Sequence, residues 1–100
     1  MTEDWTPEDR LRMARQREEV VAALAVALSD WRRVLEVVAA CESSEEAQEA
    51  LARTFRFTRV QAMAVMDTQF RRVTRVDRER IAAELVELHR EIDEFGGDVK

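Results

Sequence analysis

Asp67 and Arg71 stand four residues apart in QAMAVMDTQFRR, the spacing at which a carboxylate and a guanidinium meet on one helix face. Charge-assisted hydrogen bonds between them would hold a turn. Bond-making chemistry needs more, because general acid–base work calls for a histidine or second acid within reach of the same atom. The pair reads as structural, since Asp67 falls beside apolar Met63, Met66 and Phe70, where an unpaired charge is costly. Its plainer alternative is a solvated pair worth roughly a few tenths of a kcal/mol. His89 is the single histidine, set among Glu87, Arg90 and Glu91, and a lone imidazole without spaced cysteines or acids is a poor metal site. It reads as solvated surface. Cys41 has no second cysteine to pair with and reads as a small filler near a helix end. Arg71, Arg72, Arg75, Arg78 and Arg80 concentrate positive charge. Asp67, Asp77, Glu79 and Glu84 interleave with them and no aromatic platform accompanies them, so a charge-paired helix surface is expected rather than a nucleic-acid groove. No catalytic, cofactor-binding or metal-ligating set is expected, and the chain contains no tyrosine.

The elements that carry these residues are legible from composition first. Hydrophobic residues make up 46% and charged residues 37%, with two glycines and one proline, which describes a helical chain with little from which to start strands. One hundred residues bound it to one domain, small enough that a second copy would be a natural source of extra buried surface. A net charge of -5 argues against a general electrostatic grip on phosphate. No apolar run of about 18 residues and no charged-then-apolar leader appears, so the expected setting is a reducing cytoplasm without a membrane span.

Thr6-Pro7-Glu8-Asp9 supplies a cap oxygen, a proline at the first helical position and acids for the positive end of the dipole. Leu11, Ala14, Val21, Leu24, Leu28 and Trp31 then form one apolar stripe along a long helix, with Trp31 expected in the core at its end. Ser29-Asp30 recaps the chain for a shorter helix through Val34, Leu35, Val38 and Ala39 that stops near Cys41. Ser43 with Glu46 and Thr58 with Gln61 are capping boxes opening helices over about 44–54 and 59–72. Thr74 caps a last long helix carrying Ile81, Leu85, Leu88, Ile92 and Phe95, which Gly96-Gly97 is expected to end. The expected fold is all-α: two long antiparallel helices form a coiled-coil hairpin arm, and three short helices form a globular tip. Residues 7–96 make the single domain, with 1–6 and 97–100 loose. Val60, Met63, Met66, Phe70 and Val73 are the candidate dimer or partner interface at the tip, their alternative being core packing beneath it.

From about Leu11 to Ile92 the chain resembles the coiled-coil and exit-gate segment of the A subunit of bacterial DNA gyrase and topoisomerase IV. VVAALAVALSDWRRVLEVVAACESSEEAQEAL is similar to that family's paired helices, and QAMAVMD is similar to a Q-A-x-A run whose aspartate precedes an L-T turn and a long charged helix. The resemblance implies an arm whose tip meets its twin in a homodimer and forms the gate through which a transported duplex leaves. Gln69 stands where the family has an arginine, Arg75 where a glycine follows the L-T, and Phe70 and Val73 where it has leucines. The family cuts DNA with a tyrosine, which this chain lacks. The expectation is therefore a non-catalytic homodimerising interaction module that associates with the gyrase A subunit or another topoisomerase and makes weak or no direct DNA contact. Two alternatives are weighed beside it. A small helical enzyme of the chorismate-mutase type would use the arginines of DRLRMARQREEV, although Lys100 is the only lysine to join them. A DNA-binding accessory protein would show affinity falling steeply with salt.

Overall fold

Thr6 opens the first helix in the expected way. Its hydroxyl accepts the Asp9 amide at 3.1 Å while the Asp9 carboxylate accepts the Thr6 amide at 3.3 Å, and Pro7 occupies the first turn of α1 (Pro7–Ser29). That bond from the Thr6 amide, helped by the Thr6 hydroxyl and Arg12, holds the Asp9 carboxyl below the ordinary aspartate range. The box is therefore intact above the ordinary aspartate pKa and is lost as pH falls through the lowered one. The computed structural model describes residues 6–98, and among them every regular element is helical and no strand occurs. The ends expected to be loose, residues 1–5 and 99–100, lie outside the described residues, whereas Thr6 is a helix cap and Gly97 and Asp98 are helical.

α1 stops at Ser29, where Asp30 takes φ -135° and ψ 45°, and α2 (Trp31–Ala39) begins. The expected recapping happens by backbone conformation alone: Asp30 makes no side-chain cap bond, and the Ser29 hydroxyl turns back to donate to the Val26 carbonyl at 2.8 Å. α3 (Ser44–Phe55) has half of its expected box. Ser43 accepts the Glu46 amide, but the Glu46 carboxylate accepts from Glu42, one residue before the cap. α3 closes at Arg56, whose φ of 60° lies in the left-handed region, with the Phe57 amide donating to the Ala52 carbonyl at 3.0 Å. An arginine there bears a Cβ penalty that glycine avoids. Arg56→Gly is expected to raise the unfolding free energy by about 0.5–1 kcal/mol, read as a higher urea midpoint at unchanged m.

α4 (Arg59–Met66) carries the complete box: Thr58 accepts the Gln61 amide at 3.1 Å and Gln61 accepts the Thr58 amide at 2.9 Å. Its end differs from the expected helix over 59–72. The Thr68 hydroxyl donates to the Ala64 carbonyl at 3.0 Å, and Gln69 is extended at ψ 149°. These local bonds compete with the helical ladder. Helix stops at Met66, and Phe70–Val73 forms a separate 3-10 turn. Thr74 then accepts the Asp77 amide and opens α5 (Arg75–Asp98). The expected stop at Gly96-Gly97 does not form. Neither glycine takes the positive φ that a glycine cap requires, and helical geometry runs through both to Asp98.

Two apolar clusters organise the packing, and α1 contributes to both. Ala14, Val21 and Leu28 join Ile81 and Leu88 of α5, with Leu85 and Ile92 half-buried against them. Ala23 and Ala27, on another side of α1, join Leu51 of α3 and Val65 of α4, with Phe55, Phe57 and the valines of α2 leaning on that group. Polar contacts along the α1–α5 seam pair early residues with late ones. The Arg10 guanidinium lies 6.0 Å from the Phe95 ring centroid, the Arg17 side chain donates to Glu84 at 2.7 Å, and His89 Nε2 donates to Glu18 at 3.0 Å. The molecule measures 46 × 27 × 23 Å with a radius of gyration of 15.5 Å, longer than the roughly 13 Å of a compact chain of this size.

Candidate interaction surface

The break after Met66 divides the five apolar residues expected to form one patch. Val60 and Met63 lie on α4 itself, both half-exposed. Met66 packs against the second cluster, Val73 against the α1–α5 cluster, and Phe70 between them is 78% exposed, more than any other large hydrophobic side chain described. Met66, Phe70 and Val73 are nevertheless brought together. They face Trp31, Leu35 and Val38 of α2 across a hollow of about 190 Å³, with buried Leu51 and Val65 among its walls. Val60 and Met63 are not part of it.

The same break changes the setting of Asp67 and Arg71. Asp67 caps the end of α4 and Arg71 sits in the 3-10 turn, so no continuous helix brings them to i,i+4 register, and among the described residues no ion pair joins them. Asp67 lines a shallow recess with Arg72 instead, on the side of the 3-10 turn where Val20 and Leu24 of α1 lie.

Residues that sequence spacing passed over do part of the positioning. Glu19 in α1 accepts from the Thr58 hydroxyl through its carboxylate at 2.9 Å and from the Gln61 side-chain amide through its backbone carbonyl at 2.8 Å. The capping box of α4 is thereby tied to the middle of α1. No helical period announces such a tie, because it joins a side chain to a backbone atom 42 residues away. His89, expected as free surface, reaches Glu18 although its side chain is 56% exposed. Trp31, expected in the core, is half-buried with the Arg32 guanidinium 4.4 Å from its ring centroid. The α2 wall of the hollow did have a signal, since WRRVLEVV places Trp31, Val34, Leu35 and Val38 on one helical face.

Chemically, the surface offers apolar contact and little else. Among the described residues no three His, Cys, Asp or Glu side chains gather in a way that could hold a metal ion, and no helix is long and apolar enough to cross a membrane. Of the arginine concentration, Arg75 pairs with Glu79 at 3.2 Å and Arg80 with Asp77 at 3.6 Å. Arg78 has its Nε buried without a hydrogen-bond partner.

An all-helical chain with an apolar hollow at one end is the class that these observations define. In sequence it is similar to a segment of the A subunit of DNA gyrase. It is 32% identical over 85 residues to the subunit of Staphylococcus aureus (strain MRSA252) and 31% identical over 86 residues to that of Aminobacterium colombiense. These matches take in 85% and 86% of this chain, and the chain spans about a tenth of the length of the curated relatives it matches. No family model matches it.

Proposed function

We propose that the chain is a non-catalytic, homodimerising interaction module built like the exit-gate segment of a gyrase A subunit. In this reading α1 and α5 are the antiparallel pair of a coiled-coil arm, and α2, α3, α4 and the 3-10 turn are its globular tip. The observation that carries it is the apolar hollow lined by α2, Met66, Phe70 and Val73, beside which Phe70 stands 78% exposed. Likeness to gyrase A subunits over 85% of the chain supports the gate comparison, and the lack of any tyrosine within these 100 residues supports a role without strand cleavage.

The partner proposed beyond a second copy is the gyrase A subunit itself, or another topoisomerase, met in a reducing cytoplasm through arm or tip. Direct DNA contact has little support, because Arg75 and Arg80 are engaged by neighbouring acids on a chain of net charge -5. A mutase-type reading has less, because Arg12 and Arg17 of α1 already bind Asp9 and Glu84. The test is a supercoiling assay with gyrase and a stoichiometric excess of this protein, run beside size-exclusion chromatography of the mixture. A co-eluting species with altered supercoiling is expected; unchanged supercoiling with no complex would reject the topoisomerase partner.

A further inference from the structure

We infer that the turn between α3 and α4 is a docking site for a short acidic polypeptide segment, gripped by Arg53, Arg56 and Arg59. None of the three lines the hollow beside α2, so the inference goes beyond the gate reading and does not rest on it. Charge is the first observation. Between Glu49 and Asp67 the chain carries these three arginines and no acid, and all three are exposed. Scarcity of acids does not explain this, because the chain has 21 acids to 16 bases and Arg12, Arg17, Arg75, Arg80 and Arg90 each have an acid partner. Among the described residues the three at the turn have none. Glu19, which α1 brings to the turn, accepts from the Thr58 hydroxyl instead.

Placement is the second observation. Arg53 lies in the last turn of α3, where a cation suits the helix dipole, but its two neighbours stand against local preference. Arg56 holds φ 60°, a conformation that costs a side chain what glycine avoids. Arg59 is the first residue of α4, where positive charge opposes the dipole, and no acid in that first turn offsets it. Carboxylates from a partner supply the missing negative charge. The guanidinium groups make the contact, since Thr58 and Gln61 already complete the cap between them.

Shape decides the kind of anion. Phe55 and Phe57 flank Arg56 with their rings stacked, centroids 5.3 Å apart, and both lean half-buried on the second cluster, so the turn is fixed before a partner arrives. The same stacking leaves bases no open aromatic platform, which disfavours nucleic acid. Arg59 also borders a groove between α3 and α4 lined by Glu45 and Glu49. These acids repel a long polyanion laid along α3 and tolerate a short one confined to the turn.

Fluorescence anisotropy of a short fluorescein-labelled oligoglutamate tests this at low salt, with amide shifts of the isotope-labelled protein locating the contact. Binding with shifts centred on residues 53–59 is expected. Arg56→Gly/Arg59→Gln should weaken it about tenfold, whereas Arg71→Gln/Arg72→Gln, an equal change in charge, should leave it within about twofold. Arg56→Gly alone separates binding from folding, because it should unfold at higher urea and yet bind less tightly, which an arginine with only a structural role would not do. No binding by the wild type, or equal weakening by the two double variants, would overturn the site. A short DNA duplex bound at residues 53–59 more tightly than oligoglutamate would make the turn a nucleic-acid surface and overturn the acidic segment. Shifts at these residues on raising protein concentration alone would assign the turn to a second copy, with the same effect. Failure here leaves the gyrase contact to be judged by the chromatography described above.

Discussion

Leu51→Ala is expected to lower the unfolding free energy by about 2–5 kcal/mol, a large share of the roughly 5–15 kcal/mol that a domain of this kind has in total. Leu51 is fully buried, and it is where α3 meets α1 and α4. Its neighbours on α1 are Ala23 and Ala27, small side chains that let α3 approach closely and leave no atoms able to swing into a void. α1 itself cannot shift to fill the space, because Val21 and Leu28 pin it to Ile81 and Leu88 of α5. Met66, Phe55 and Phe57, which lean on the same cluster, can fill the space only in part, so most of the cost is felt. Urea denaturation measures the loss. Leu35→Ala, at a position 41% exposed, is the control and should cost under about 1 kcal/mol. Comparable losses in the two variants would mean that the second cluster is not the packed core described above. Hydrogen exchange adds a second readout: α2, which has no buried residue, should lose protection before α1 or α5 does.

How much of this was legible in the sequence depends on the range of the interaction that decides each feature. The two long helices and their apolar stripes follow from three- and four-residue steps, and Ala14, Val21, Leu28, Ile81 and Leu88 emerge together in one cluster. Caps at Thr6, Thr58 and Thr74 follow from a hydroxyl three residues before its target. What escaped was settled by competition at single residues. Thr68 bonds back to Ala64 and breaks a helix that periodicity alone would carry to residue 72, and with it the register of Asp67 and Arg71. Arg56 occupies a left-handed position that a glycine would have advertised, while Gly96 and Gly97 advertise a stop that the backbone does not take. The five residues expected to form one patch are divided for the same reason. Met66, Phe70 and Val73 reach one hollow only because the chain turns between them, and the α2 residues opposite come from more than 25 positions earlier.

Gln61 is the residue whose side chain most directly couples local structure to tertiary placement, and replacing it separates the two. Its carbonyl oxygen accepts the Thr58 amide, which caps α4, and its amide nitrogen donates to the Glu19 carbonyl in the middle of α1. Gln61→Ala removes both bonds, and at about 0.5–1.5 kcal/mol each the expected loss is about 1–3 kcal/mol in urea unfolding. Gln61→Glu keeps an acceptor for Thr58 but loses the donor to Glu19. It also brings a carboxylate towards an oxygen that can only accept, near the Glu19 carboxylate held by the Thr58 hydroxyl at 2.9 Å. Gln61→Glu is therefore expected to keep the cap of α4 and to lose the tie to α1, at a cost of at least about 0.5–1.5 kcal/mol in urea unfolding at neutral pH. Equal stabilities of wild type and Gln61→Glu would show that the contact with Glu19 contributes nothing, leaving Gln61 a helix cap alone.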